Sequence, residues 1–163
     1  MKQRIEFKEE SPNLISIETP QSSRASRIVL LVFMIIFFVI PIAATIVSAI
    51  YSTFHPAIII TYIIFGLSGR FFLKLFLWNK YGKEYLSMET DKIVYEADYR
   101  YFRGNRREVK VDGMNIGIQE VYDPNENIGV LTITDKYTEI RTAAKLLVSD
   151  LEILKEKIEN NYA

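Results

Sequence analysis

The sequence predicts an α+β membrane protein: a two-helix transmembrane hairpin inserted in an antiparallel split barrel or sandwich that a C-terminal helix closes. Three observations carry that reading. Residues 28–69 contain no Asp, Glu, Lys or Arg. Segments on both sides of this block alternate apolar and polar residues at the strand period of two. Only the end of the chain switches to a helical period.

The charge-free block is too long for one crossing and fits two. Ile28 to Ile50 reads IVLLVFMIIFFVIPIAATIVSAI, and a second apolar run extends from Ala57 to Trp78. About 20 apolar residues cross about 30 Å of hydrocarbon, so the spans are placed at 28–50 and 57–78. Both must be helical, because lipid offers no partner to bare backbone N–H and C=O groups. The polar break Tyr51-Ser52-Thr53-Phe54-His55-Pro56 turns the chain between them. Pro41 lies mid-span and is expected to kink the first helix or leave a carbonyl to be satisfied locally. The mixed-charge residues ahead of the first run differ from the short basic start of a secretory peptide, so a retained anchor is expected.

Flanking charge sets the expected orientation. Arg24 and Arg27 precede the first span, while Arg70, Lys74, Lys80 and Lys83 sit at the end of the second; the turn has no Lys or Arg. The positive-inside rule puts both termini in the cytoplasm of a chain crossing the cell (inner or plasma) membrane twice, a multi-pass arrangement in that sense. Arg24, Arg27, Arg70, Lys74, Trp78 and Lys80 form a collar suited to lipid headgroups, Trp78 as an aromatic anchor and the cations by snorkelling.

The remaining segments read as strands. Residues 4–8 and 14–18 alternate around a Glu-Glu-Ser-Pro-Asn turn and form a predicted hairpin within residues 1–23. Beyond the hairpin of residues 24–80, the stretch 81–163 gives six short strands, at 85–89, 92–103, 106–111, 116–122, 128–134 and 137–141. In the second of these, Ile93, Tyr95, Ala97, Tyr99 and Tyr101 share one face, and Gly104-Asn105 is read as the turn that follows. A helix over about 150–161 starts from Ser149 and Glu152 as a capping box, with Leu151, Leu154 and Ile158 on one face and Ile153 widening it. Two strands are not stable alone, so the first pair is expected to complete the later sheet. A small antiparallel barrel flanked by one helix is the pleckstrin-homology-like (PH-like) arrangement.

The strand pair before the first span, the Trp78-x-x-Tyr81-Gly82-x-Glu84-Tyr85-Leu86 passage after the second, and the helix-closed meander carry a resemblance. The chain resembles small bacterial membrane proteins with a two-helix hairpin and a cytoplasmic PH-like domain. The resemblance implies fold and membrane placement and brings no catalytic residues with it.

Composition narrows the chemistry. The 163 residues include no Cys and one His, which excludes disulfides, thiolate clusters and poly-histidine metal sites. Twenty basic residues balance twenty acidic ones, leaving no whole-chain pull toward nucleic acid. A Ser-His-Asp set would need His55 across the membrane from nearly all carboxylates. Gly66-x-x-Gly69 reads as a helix contact rather than a phosphate loop, and Gly113-x-x-x-Gly117 lies among strands. No catalytic residue, cofactor or metal is therefore expected. The candidate contacts are the collar and the basic group Arg100, Arg103, Arg106, Arg107 and Lys110, which suits an anion or a partner unless it is an ordinary solvated strand face. The Tyr-rich strand serves as core or as a peptide platform. The expected role is a non-catalytic scaffold or accessory subunit for another membrane protein or a second copy, with anionic-lipid recognition as the alternative.

Overall fold

The structure, a computed structural model, describes residues 7–11, 13–51, 56–123 and 127–162. It divides into two compact units, one of Gln21–Lys80 and one joining Met1–Pro20 to Tyr81–Ala163. His55 and the start of the first predicted strand lie outside the described residues.

The first unit is an antiparallel pair of long apolar helices, α1 (Arg24–Ile50) and α2 (Ala57–Tyr81). Ser23 caps α1, its hydroxyl accepting from the Ser26 amide at 3.1 Å. Phenylalanines fill the seam: Phe72 stacks on Phe33 and Phe37 at centroid distances of 5.3 and 5.1 Å, and Phe37 meets Phe65 at 5.4 Å. Gly69 lets the helices approach, since a Cβ there would lie 3.1 Å from the Phe38 ring; at Gly66 the same atom would meet open space. Half of the small-residue pair thus serves the contact. Pro41 is buried inside a continuous α1, and its carbonyl accepts from the Thr45 hydroxyl (2.9 Å), which also bonds the Tyr62 hydroxyl on α2. Both helices are long and apolar enough to cross a membrane, and only 6% of each apolar window is buried. The core helix of a water-soluble domain hides its apolar side chains; here Ile28, Ile42, Ile46 and Ile63 are all more than half exposed.

The second unit is two antiparallel sheets and one helix. Strands β1 (Phe7–Ser11), β2 (Leu14–Glu18), β3 (Lys83–Met88), β4 (Lys92–Asp98) and β5 (Arg103–Lys110) follow one another in the first sheet. Strand β2, the last before the helices, pairs with β3, the first after them, in a register running from Leu14 opposite Ser87 to Glu18 opposite Lys83. Beyond it the Thr19 amide donates to the Gly82 carbonyl at 3.1 Å, while Lys83 and Glu18 form an ion pair at 2.6 Å. The second sheet orders β6 (Asn115–Val121), β7 (Ile128–Thr134) and β8 (Glu139–Arg141), with β9 (Leu146–Leu147) pairing on β7. Helix α3 (Val148–Tyr162) lies on β6, β7 and β9 and buries Leu151, Leu154 and Ile158. Its far end reaches the first sheet, where the Tyr162 hydroxyl donates to the Glu89 carbonyl at 2.8 Å and Lys157 pairs with Glu9 of β1. The core between the layers holds Ile15, Ile17, Leu86, Ile93, Leu131, Ile133 and Ile140 at zero exposure.

Several expectations are corrected. Strand β1 (Phe7–Ser11) runs through Glu9 and Glu10, the residues assigned to the turn. The β4–β5 reversal occupies Tyr99–Phe102, with Arg100 at φ 77° and its amide on the Asp98 carboxylate. Gly104 and Asn105 instead lie inside β5: Gly104 pairs with Ala97, and Asn105, at φ 56°, opens a bulge in which it and Arg106 together face Glu96. Tyr101 is consequently 72% exposed and outside the core, although Tyr95 and Tyr99 are buried as expected. The turn after β7 extends through Tyr137, which leaves β8 shorter. Strand β9 was not foreseen, α3 starts one residue ahead of the expected cap at Ser149, and Ile153 points to solvent at 56% exposure.

Gly129 on β7 sits beneath α3: a Cβ there would lie 3.0 Å from the Gln119 carbonyl and 3.1 Å from Leu151. Gly129→Ala is expected to lower stability by about 1–3 kcal/mol through overpacking. Gly117→Ala in the same sheet, with open space above it, is expected to stay within about 0.5 kcal/mol. Thermal unfolding of the full chain in detergent, followed by β-sheet circular dichroism, separates the two.

Candidate functional site

The predicted basic cluster does not hold together as one site, because the pleat of β4 and β5 distributes it over two faces. On the outer face Arg106 binds Glu108 at 2.7 Å and approaches Glu96 at 3.6 Å. Arg103 meets Glu96 at 3.4 Å and lies over the Tyr85 ring at 4.8 Å, and Lys92 binds Glu108 at 2.9 Å. The two cations hold the Glu108 carboxyl below its ordinary range through direct hydrogen bonds. Arg100, in the turn, packs its guanidinium 4.4 Å over the Tyr81 ring. Lys110 contributes its amide, which donates to the Asp135 carboxylate at 3.0 Å. Asp135 also accepts from the Tyr137 and Thr138 amides, and these bonds lower its pKa.

Arg107 is the exception. It shares the inner face of β4–β5 with Tyr95 and donates across to the Glu139 carbonyl on β8 at 2.7 Å. It stands on the wall of a cleft of about 640 Å³ between the two sheets. Tyr95, Val121, Val130 and Thr142 line it as its buried or half-buried residues, and Arg141, Ala143 and Lys145 as exposed ones. Arg141 and Lys145 are exposed cations absent from the sequence-derived candidates.

One buried carboxylate organises this lining. Strand β3 alternates Glu84, Leu86 and Met88 inward, which leaves Glu84 at zero exposure. Its Oε1 accepts from the Tyr95 hydroxyl at 3.0 Å and the Ala143 amide at 2.6 Å; its Oε2 accepts from the Ala144 amide at 3.4 Å. Burial raises the Glu84 pKa above 4.5 against the lowering effect of those three donors. The Tyr95 hydroxyl is pushed up by its own burial and then by the facing carboxylate. Glu84 thus ties β3 and β4 of one sheet to the segment after β8 of the other. Glu84 falls one residue ahead of the strand expected at 85–89, whereas β3 begins at Lys83, so its inward position was hidden in a passage quoted above for its resemblance alone.

The collar residues belong to the helical unit. Arg24 and Arg27 occupy the first turn of α1, Arg27 donating to Gln21 at 3.2 Å, and Arg70, Lys74, Trp78 and Lys80 lie along the second half of α2. Lys80 sits 5.7 Å over the Phe76 ring. The antiparallel pairing brings Arg24, Arg27, Trp78 and Lys80 to one end of the pair, where the Ser22 amide donates to the Asn79 carbonyl at 3.2 Å.

No protein-family model matches the chain, and no curated protein matches it.

The raised Glu84 pKa has a defined consequence for stability. The folded carboxyl keeps its proton to higher pH than the unfolded one. Its stabilising contribution is therefore complete below about pH 4.5 and is lost as pH rises through the folded value. The stability of the native chain relative to Glu84→Gln is expected to decline with rising pH across that window, whereas parallel pH curves would contradict the assignment. Glu84→Ala, which strands three donors, two of them buried, is expected to cost about 2–4 kcal/mol at any pH tested.

Proposed function

We propose that this chain is an integral membrane protein presenting a PH-like binding module on the cytoplasmic side, as a non-catalytic scaffold or accessory subunit of a membrane complex. The observation that carries the reading is the β2–β3 pairing. Strands from both flanks of the helical pair belong to one sheet, and a single sheet lies on one side of a bilayer. The membrane part is thus a hairpin of two crossings. The cations Arg24, Arg27, Lys74 and Lys80, gathered toward one end of that hairpin, favour the cytoplasm for the folded unit. The two sheets closed by α3 support the PH-like assignment, and that class of fold hosts binding of lipids, peptides or proteins rather than one chemistry.

Protein binding is preferred to anionic-lipid recognition by the arginine hairpin, because Arg103 and Arg106 already face Glu96, Asp98 and Glu108. Headgroups would compete with carboxylates on the same strands. The collar then serves as an anchor for the hairpin.

The absence of native Cys makes the arrangement directly testable. Single cysteines introduced as Ser11→Cys and Tyr137→Cys, both at exposed positions, are expected to react with an impermeant maleimide only after the cells are permeabilised. Labelling of either one in intact cells overturns the placement. Purification in gentle detergent is expected to yield a stoichiometric protein partner; recovery of the chain with enriched acidic lipid and no protein would instead favour lipid recognition.

A further inference from the structure

The cleft between the sheets has the chemistry of a ligand site. The segment from Glu84 to the C-terminus carries sixteen acids and eleven bases, yet the cleft gathers Arg107, Arg141 and Lys145 around one carboxylate, Glu139. Among the described residues Arg141 and Lys145 form no ion pair, in contrast to the cations on the outer face of the β4–β5 hairpin. Arg107 gives one N–H to the Glu139 carbonyl and retains the rest of its fork. Less exposed than these cations are Val121, Val130 and Tyr95, together with the hydroxyl-bearing Thr142.

The edge of β5 adds a second kind of contact. Strands β5 and β8 approach without a backbone ladder; the Arg107 side chain bridges them at Glu139, and Asp135 in the β7–β8 turn reaches β5 at Lys110. The Lys110 amide points outward from β5 and already holds a carboxylate, that of Asp135, at 3.0 Å. By the same pleat the Glu108 amide faces that side. The protein's own acidic side chain therefore occupies the start of an edge on which an acidic strand would lie.

We infer that this cleft binds an extended acidic peptide segment of a partner protein, its carboxylates on Arg107, Arg141 and Lys145 and its apolar side chains over Val121 and Val130. The inference rests on the binding-module reading above and names the partner's chemistry. Cations spread along a partly apolar lining, on β5, on β8 and after it, fit an alternating acidic and apolar strand better than a single phosphate, which calls for donors converging on one point.

The test uses the full chain in detergent and a dye-labelled Val-Glu-Val-Glu-Val-Glu peptide, read by fluorescence anisotropy. Binding is expected to weaken with salt, to vanish for the Gln counterpart of the peptide, and to fall at least about tenfold in Arg141→Gln/Lys145→Gln. Arg103→Gln/Arg106→Gln, on the outer face, is expected to change affinity by less than about twofold. Unchanged binding by the cleft variant, equal binding of the Gln peptide, or displacement by inorganic phosphate as effective as by unlabelled peptide each overturns the inference. A stoichiometric partner retained equally by native chain and cleft variant also overturns it and leaves the binding-module reading intact. Failure of that broader reading shows differently, as a chain that purifies without any stoichiometric protein.

Discussion

Pairing of β2 with β3 is the constraint on which the rest depends. It joins residues separated by the entire helical pair, and it unites two strands from one flank with three from the other in a single sheet. Without β2, the inward face of β3 loses Ile15 and Ile17 as neighbours, both of them at zero exposure. The closing contacts at Thr19–Gly82 and Glu18–Lys83 show how the register ends where the chain departs toward the helices. An exposed ion pair contributes little by itself, about 0–1 kcal/mol, so burial of the isoleucines dominates this junction.

A second tie works across the layers. Sheets that pack face to face are usually held by apolar contact, which is tolerant of sliding. Glu84 replaces part of that tolerance with direction, since its two oxygens accept from one hydroxyl and two consecutive backbone amides. Ala143 and Arg141 are thereby placed against Tyr95 and Arg107, and the cleft has a defined lining. The carboxylate sits where its charged form is disfavoured by burial, and three donors offset part of that effect. The same residue that steadies the fold also shapes the surface proposed to bind a partner.

The sequence was most legible where one physical demand acts alone. Absence of charge over residues 28–69 marks both helices, because nothing but a nonpolar surrounding tolerates such a stretch. The bounds of β2 and β7 and the Leu151, Leu154 and Ile158 stripe follow from periodicity. Legibility failed where a local preference was overridden. Tyr99–Phe102 lacks the Gly and Asn of a conventional reversal, yet an Asp98 side chain and the stacked Tyr99 and Phe102 rings hold it. Gly104-Asn105 has turn composition and lies inside β5, where Asn105 opens a bulge. The cleft could not be read at all, because Arg107, Arg141 and Lys145 come together only through tertiary pairing. Spacing along the chain grouped Arg107 with arginines that the pleat turns the other way.

The junction of β2 and β3 also orders events in time. Strand β2 is synthesised early and has β1 on one edge, but its other edge has no partner until roughly 60 further residues have emerged, and closing so long a loop is entropically slow unless its ends are brought together. An antiparallel helical hairpin does this, since it returns the chain to the point from which it set out. A polypeptide whose second helix stalled would strand the two halves of the sheet apart, with the apolar face of β3 uncovered. The folded sheet thus depends on the helical return: only a chain whose second helix runs back along the first can bring β2 over that face.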